Sequence, residues 1–112
     1  MLPTNFVDDV LKITRKIPKG RVTSYGAIAK SLGIAKSSRM VGWALKKSGM
    51  EIEFVPAHRV LNRNGLLSGK NAFSSETRMQ ELLEEEGIEV QNDKVVRFSE
   101  LFWDPISLGE IR

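Results

Sequence analysis

Side chains that could carry out chemistry are few in this 112-residue chain, and they centre on one stretch. Residues 55–60 read Val-Pro-Ala-His-Arg-Val and contain His58, the single histidine of the sequence. A lone histidine can act as an acid or a base, but it argues against a histidine-rich metal site. The chain contains no cysteine, which excludes disulfides, thiolate chemistry and zinc sites built on sulfur. We therefore expect neither a metal ion nor a cofactor.

The charged residues are unevenly distributed, although the formal net charge is only +3. Ten Lys or Arg residues and no Asp or Glu occur from Lys12 to Lys47, whereas acids dominate residues 76–89. A basic first half can attract a polyanion, and nucleic acid is the leading candidate. The alternative interpretation is a solvated basic face without a specific partner.

Length and composition fit one domain, residues 1–112, with a modest core, since 41% of the residues are hydrophobic. No apolar run reaches the ~18 residues of a membrane span. Residues 1–5 lack the basic and apolar regions of a signal peptide, so we expect a cytoplasmic protein. The C-terminal tail, residues 91–112, is too apolar around residues 101–106 to be a free end, and we expect it to dock on the domain.

A helix is predicted over residues 5–16. Apolar residues recur there every three to four positions, with acids in the first turn and bases in the last. Thr4 or Asn5 can cap the start of this helix, and the sequence Pro-Lys-Gly at residues 18–20 is typical of a turn that ends it.

Two further short helices follow. Residues 24–32 form the first, with Ser24 as its cap and Gly33 as its stop. Ser37 or Ser38 can cap the second, which extends for about ten residues. Two short helices joined by a turn that contains glycine indicate a helix-turn-helix, a pattern that many small helical domains share.

Strand and turn signals dominate the middle of the chain. Residues 52–55 are apolar and favour a short strand. The sequence Asn-Arg-Asn-Gly at residues 62–65 is a strong turn signal. It predicts a hairpin or wing between residues 60–61 and residues 66–67.

A fourth helix is predicted over residues 76–86. Ser74 or Ser75 can cap it, and Gly87 can stop it. Its inward side is expected to consist of Met79, Leu82 and Leu83.

Four motifs resemble, in order, those of the O6-alkylguanine-DNA alkyltransferases, the methylated-DNA–protein-cysteine methyltransferases. Residues 18–26, PKGRVTSYG, resemble the segment that leads into that family's helix-turn-helix. Residues 38–42, SRMVG, resemble its recognition helix, and residues 84–87, EEEG, the end of its last helix. Residues 56–60, PAHRV, resemble its Pro-Cys-His-Arg signature, with Ala57 at the position of the reactive cysteine.

The resemblance covers residues 6–90 and extends to a subfamily, the alkyltransferase-like proteins, in which the cysteine is replaced. It implies a mainly α fold with a small β wing, a winged helix-turn-helix-like DNA-binding domain. It also implies a non-enzymatic sensor that binds and flips O6-alkylguanine and flags it for nucleotide excision repair. The implied partners are double-stranded DNA that contains O6-alkylguanine and repair proteins, with no membrane, and the protein is expected to be a monomer.

By resemblance, Arg39 is the finger that enters the duplex in place of the flipped base, a role that suits a planar guanidinium. Tyr25 resembles the tyrosine that crowds the phosphate beside the flipped nucleotide. The alternatives are a phosphate-contacting arginine and a half-buried packing tyrosine. Trp43 departs from the small residues that the family favours there, and it faces either the core or the groove. The small residues expected to let this helix approach DNA closely are Ser37, Ser38, Gly42 and Ala44.

The lesion pocket implied by the resemblance is lined by Tyr25, Val55, Pro56, Ala57 and Ser68. A methyl side chain at residue 57 leaves space for varied alkyl groups, whose apolar burial is worth roughly 0.8 kcal/mol per methylene. Ser68 can donate a hydrogen bond to the lesion oxygen.

His58 and Glu86 resemble the relay that activates the family's cysteine, in which a histidine takes the thiol proton and a carboxylate orients the histidine. Without a thiol, the pair is expected to be vestigial and to hold the shape of the pocket, so no catalytic residue is assigned. Arg59 is expected to support the loop through backbone carbonyls.

Two other functions remain open from the sequence. The chain can be an alkyltransferase inactivated by a Cys→Ala substitution, or a cysteine-independent dealkylase. It can also be a helix-turn-helix regulator that reads DNA sequence, although the small, weakly basic recognition helix argues against this.

Overall fold

The computed structural model describes residues 6–33, 38–48 and 55–106. Three predicted features lie wholly or mostly outside these residues: the cap at Thr4 or Asn5, the cap at Ser37, and the strand over residues 52–55. Val55 itself is described and belongs to no strand.

Three helices form the first half of the fold: α1 (Phe6–Lys16), α2 (Tyr25–Ser31) and α3 (Ser38–Ser48). The predicted helices are thereby confirmed, with bounds that differ by one or two residues. Helix α3 packs against both α1 and α2. Their apolar faces meet in a first core cluster, whose buried residues are Phe6, Val10, Leu11, Ile17, Ile28, Ala29, Val41, Ala44, Leu45, Val55, Ala57 and Val60.

The predicted cap of α2 is confirmed. The Ser24 hydroxyl accepts a hydrogen bond from the Ala27 amide at 3.0 Å, which satisfies one of the donors that the first turn leaves unpaired. At the other end, Gly33 has φ of +80°, a conformation that glycine adopts without strain. Tyr25 is thus the first residue of a helix that is fixed at both ends.

Two short strands connect the halves of the molecule. Strand β1 (Thr23–Ser24) pairs in parallel with β2 (Val60–Leu61). On the other side of this segment, the Val22 amide donates to the Leu101 carbonyl at 3.1 Å, and the Trp103 amide donates to the Val22 carbonyl at 2.7 Å. Backbone hydrogen bonds therefore hold the segment before α2 from two sides.

The predicted turn at residues 62–65 is confirmed. The predicted pairing of residues 60–61 with residues 66–67 across this turn is not observed. The Asn62 side chain accepts hydrogen bonds from the Asn64 and Leu66 amides at 2.8 and 2.9 Å. Strand β2, however, pairs with β1, while Leu66 forms a bridge with Lys94. Local hydrogen bonds close the turn, whereas the residues on either side of it pair with distant parts of the chain.

The antiparallel wing lies further along the chain. It consists of β3 (Val90–Gln91) and β4 (Lys94–Val95), which reverse at Asn92 and Asp93. Both turn residues have positive φ, 53° and 63°, a conformation that Asn and Asp tolerate better than most other residues.

Helix α4 (Arg78–Glu85) is shorter than the predicted 76–86. Thr77 precedes it without a side-chain cap, so the expected cap at Ser74 or Ser75 is wrong. Ser75 accepts the Arg78 amide through its backbone carbonyl instead, at 3.3 Å. Leu82 is only partly buried. A four-residue helix, α5 (Phe98–Leu101), follows the wing. The second core cluster consists of Val22, Leu61, Leu67, Met79, Leu83, Ile88, Val90 and Val95.

Among the helices in the described part of the chain, none is long and apolar enough to cross a membrane.

We expect Ser24→Ala to lower the free energy of unfolding by about 1 kcal/mol, because it removes the cap of α2. Urea denaturation followed by circular dichroism measures this loss. Ser74→Ala is the matched control, since Ser74 is exposed and its substitution is expected to cost under about 0.5 kcal/mol. Equal costs for the two variants would contradict the capping role.

Candidate functional site

A cleft of about 290 Å³ opens between the start of α2, the exposed side of α3 and the segment around residues 68–72. This volume is near the lower end of the range for pockets that hold small ligands. Its walls are formed by Tyr25, Ser38, Arg39, Gly42, Leu45, Lys46, Ser68, Gly69 and Ala72. The structure therefore brings five of the predicted site residues together: Tyr25, Ser38, Arg39, Gly42 and Ser68.

Tyr25 is held in this cleft by two close backbone approaches. A Cβ atom at Gly42 would lie 3.8 Å from the tyrosine ring, and one at Gly69 would lie 2.5 Å from its hydroxyl. Burial raises the pKa of Tyr25, against a hydrogen bond with the Ser68 side chain that lowers it. The hydroxyl is therefore protonated at neutral pH and can serve as a hydrogen-bond donor.

Helix α3 presents a polar side to the cleft and an apolar side to the core. Val41 and Ala44 are buried, while Arg39 and Lys46 are exposed. The helix contains no acidic residue. Trp43 is 46% exposed, so it does not lie in the core, and it is not among the residues that line the cleft.

The structure does not place the other three predicted pocket residues on the walls of this cleft. The segment from Val55 folds inward: the Ala57 amide donates to the Val55 carbonyl at 2.8 Å, and a 3₁₀ turn, Ala57–Arg59, follows. Ala57 is 5% exposed and belongs with Val55 to the core cluster on which Tyr25 packs. Pro56 is partly buried. The role of these residues in binding a lesion stays a prediction.

The predicted pair His58 and Glu86 is formed, with 2.7 Å between Nε2 and Oε2. Two further partners of Glu86 were not predicted. Arg59 donates to both carboxylate oxygens of Glu86 at 2.7 to 3.0 Å, and the Gly20 amide donates to Oε1 at 2.8 Å. Arg59 also donates to the Ile17 carbonyl at 2.7 Å, which confirms its expected bond to the backbone.

This network fixes the charges of its members. Burial by itself raises the pKa of Glu86, but the hydrogen bonds from Arg59, Gly20 and His58 outweigh it and lower the pKa from 4.5 to about 2. Burial lowers the pKa of His58 below 6.5, only partly opposed by Glu86. At neutral pH the carboxylate and the guanidinium are therefore charged and the imidazole is neutral.

The far wall of the cleft is braced by the wing. The Leu67 amide donates to the Asp93 carbonyl at 2.8 Å, and Lys70 Nζ lies 2.7 Å from Asp93 Oδ2. Asp93 is one of the two residues at which the wing reverses, so the hairpin holds the segment that carries Ser68 and Gly69.

The described residues include no group of three or more His, Asp or Glu side chains that could hold a metal ion.

We expect Glu86→Gln to lower the free energy of unfolding by about 3 kcal/mol at pH 7, because a partly buried guanidinium loses its counter-charge. A carboxyl whose pKa falls from 4.5 unfolded to about 2 folded stabilises the fold above pH 4.5. That contribution, about 3 kcal/mol, is lost as the pH falls toward 2. The difference between the two proteins should therefore shrink as pH is lowered.

The measurement is urea unfolding at intervals between pH 2 and pH 7. Glu84→Gln is the control, since Glu84 is exposed on α4. It should leave the loss of unfolding free energy at acidic pH unchanged. A pH-independent gap between Glu86→Gln and the wild type would count against the carboxylate network.

We expect Gly69→Ala to destabilise the protein by about 1–2 kcal/mol, because the added methyl group overlaps the Tyr25 hydroxyl. In a Tyr25→Phe background the hydroxyl is absent, and the same substitution should cost under about 0.5 kcal/mol. A double-mutant cycle of unfolding free energies measures this coupling. Gly26→Ala, whose Cβ meets nothing within 4 Å, should show no coupling to Tyr25→Phe beyond experimental error.

Known proteins are similar to this chain in sequence and in fold. The family model described as 6-O-methylguanine DNA methyltransferase, DNA binding domain, matches residues 5–88. Alkyltransferase-like protein 1 of Schizosaccharomyces pombe is 35% identical over 104 residues, which cover 89% of this chain and 95% of that protein. A DNA base-flipping protein of Vibrio parahaemolyticus is 35% identical over 100 residues, 89% of this chain and 97% of that protein.

The fold agrees with a solved structure. The crystal structure of S. pombe Atl1 in complex with damaged DNA containing O6-carboxymethylguanine superimposes with a TM-score of 0.81 at 34% identity. The match covers 94% of this chain and all of that one, and it confirms the predicted helix-turn-helix DNA-binding fold. The chain therefore belongs to the family of the 6-O-methylguanine DNA methyltransferase DNA-binding domain.

Proposed function

We propose that this protein is a non-enzymatic sensor of O6-alkylguanine in duplex DNA, which extrudes the damaged nucleotide and holds it in the cleft. The observation that carries the proposal is the meeting of Tyr25, Arg39 and Ser68 around one cleft beside a helix without acidic residues. Relatives named for base flipping and a similar structure solved with damaged DNA support the same function.

The residues around the cleft have different roles in extruding the nucleotide. Arg39 is exposed on α3, so its planar guanidinium can enter the duplex and stack where the base has left. The Tyr25 hydroxyl and the Ser68 side chain provide hydrogen-bonding groups at the opposite wall. Lys46 adds positive charge at the rim, which favours the phosphates of the backbone.

The absence of transfer chemistry follows from the residues present. Transfer in this family needs a thiol, and the chain has none. Ala57 offers a buried methyl group in its place. The carboxylate of Glu86 holds His58 through Nε2, as in a catalytic relay, but the chain supplies no thiol for the imidazole to deprotonate. These residues support a role in binding and shape rather than in dealkylation.

The wider predictions extend this proposal. A sensor that leaves the alkyl group on DNA must pass the lesion to a system that removes it, and nucleotide excision repair is the predicted recipient. We also retain the predictions that the protein acts as a monomer and resides in the cytoplasm.

The experiment compares binding of two duplexes that differ only in one base, O6-methylguanine or guanine, by fluorescence anisotropy at 0.15 M salt. We expect at least tenfold tighter binding to the methylated duplex, a difference of about 1.4 kcal/mol. Mass spectrometry of the same samples after long incubation should find the methyl group still on the DNA. Equal affinities would refute the sensor, and loss of the methyl group would establish an enzyme instead.

Arg39→Ala should remove most of the preference for the methylated duplex while leaving the unfolding free energy within about 0.5 kcal/mol. Arg63→Ala is the matched control, because Arg63 is also exposed but lies at the turn of residues 62–65. A preference that survives Arg39→Ala would contradict the finger role.

A further inference from the structure

We propose that Trp43 is a second contact between α3 and the duplex, at which the indole packs on the sugar–phosphate wall beside the extruded nucleotide. This inference rests on the proposed binding to DNA.

The position of Trp43 on the helix is the first argument. Arg39 lies four residues before it and Lys46 three residues after it, spacings that place the three side chains on one stripe of an α-helix. All three are exposed, and α3 carries no acidic residue. A large aromatic ring between two cations matches the combination with which proteins bind nucleic acid: charge for the phosphates and an aromatic face for sugars and bases.

The relation of Trp43 to the cleft is the second argument. Gly42, Arg39 and Lys46 line the cleft, whereas Trp43 does not. At about 100° of rotation per residue, Trp43 lies roughly 40° beyond Arg39, on the side away from Gly42. When the cleft holds the extruded base and Arg39 fills the gap, the indole faces the neighbouring part of the duplex, which remains stacked.

This placement determines what the contact contributes. An indole that touches the duplex outside the cleft does not sense the alkyl group, so it strengthens binding to damaged and undamaged DNA by a similar factor. Because an apolar contact releases no condensed counterions, it leaves the salt dependence of binding unchanged. Lys46, as a cation near phosphates, contributes to that dependence.

The first test compares Trp43→Ala with Lys46→Ala in titrations of both duplexes at several salt concentrations. We expect Trp43→Ala to weaken binding to each duplex by about tenfold, because the apolar area that the indole buries against the sugars is lost. The slope of log affinity against log salt should stay as in the wild type. Lys46→Ala should lower the magnitude of that slope by about 0.9.

Two further variants control for the loss of aromatic surface. Trp43→Phe keeps a smaller ring and should recover most of the lost affinity. Phe102→Ala removes another exposed aromatic side chain, 36% exposed on the tail, and should leave the affinity within twofold of the wild type. Unchanged affinity in Trp43→Ala, or an equal loss in Phe102→Ala, would overturn the inference.

The second test uses fluorescence. Of the two tryptophans in the chain, Trp103 is partly buried, and Trp103→Phe leaves Trp43 as the reporter. We expect the methylated duplex to quench its emission and to protect it from acrylamide at the affinity found by anisotropy. Quenching that depends on protein concentration without DNA would assign Trp43 to a contact between protein copies and reject the inference.

Failure of the inference is distinguishable from failure of the proposed function. If the wild type prefers methylated DNA while Trp43 shows neither quenching nor a loss on substitution, the sensor stands and the Trp43 contact is wrong. If both duplexes quench the Trp43 emission equally and the wild type shows no preference for the methylated duplex, the contact stands and the sensor is wrong.

Discussion

The carboxylate of Glu86 is the interaction on which the arrangement of the site depends. It is 8% exposed and is bound by two other parts of the chain: the turn at Gly20 and the 3₁₀ turn that contains His58 and Arg59. A charge removed from water must find such partners, so the end of α4 is obliged to meet both other segments. Arg59 extends the network to the end of α1 through the Ile17 carbonyl.

From this carboxylate a continuous series of contacts leads to the cleft. The 3₁₀ turn that contains His58 and Arg59 runs directly into β2, and β2 pairs with β1. Strand β1 ends at Ser24, the cap of α2, and the next residue is Tyr25. The contacts of His58 and Arg59 with Glu86 thus help to set the register that positions the tyrosine.

The sequence was sufficient to predict those features that depend on local chemistry. Capping residues, glycine stops and apolar periodicity located α1, α2 and α3, and the resemblance paired His58 with Glu86 across 28 positions. Features that depend on distant partners were missed. No local pattern indicates that Arg59 reaches the Ile17 carbonyl, that Gly20 donates to Glu86, or that residues 60–61 pair with β1 rather than across their own turn. The burial of Ala57 is likewise a property of tertiary packing, since the signature motif does not indicate which way its backbone folds.

The bracing of the cleft by the wing has a thermodynamic meaning. A binding loop that is ordered only when ligand arrives reduces affinity by the entropy of its ordering. Here the segment that carries Ser68 and Gly69 is held from behind by Asp93, through the Leu67 amide and the Lys70 ammonium group. That wall is positioned in the free protein by contacts with a hairpin turn that does not line the cleft. Relatives could therefore differ in lesion affinity through the sequence of this turn alone, while every residue that touches the nucleotide stays the same.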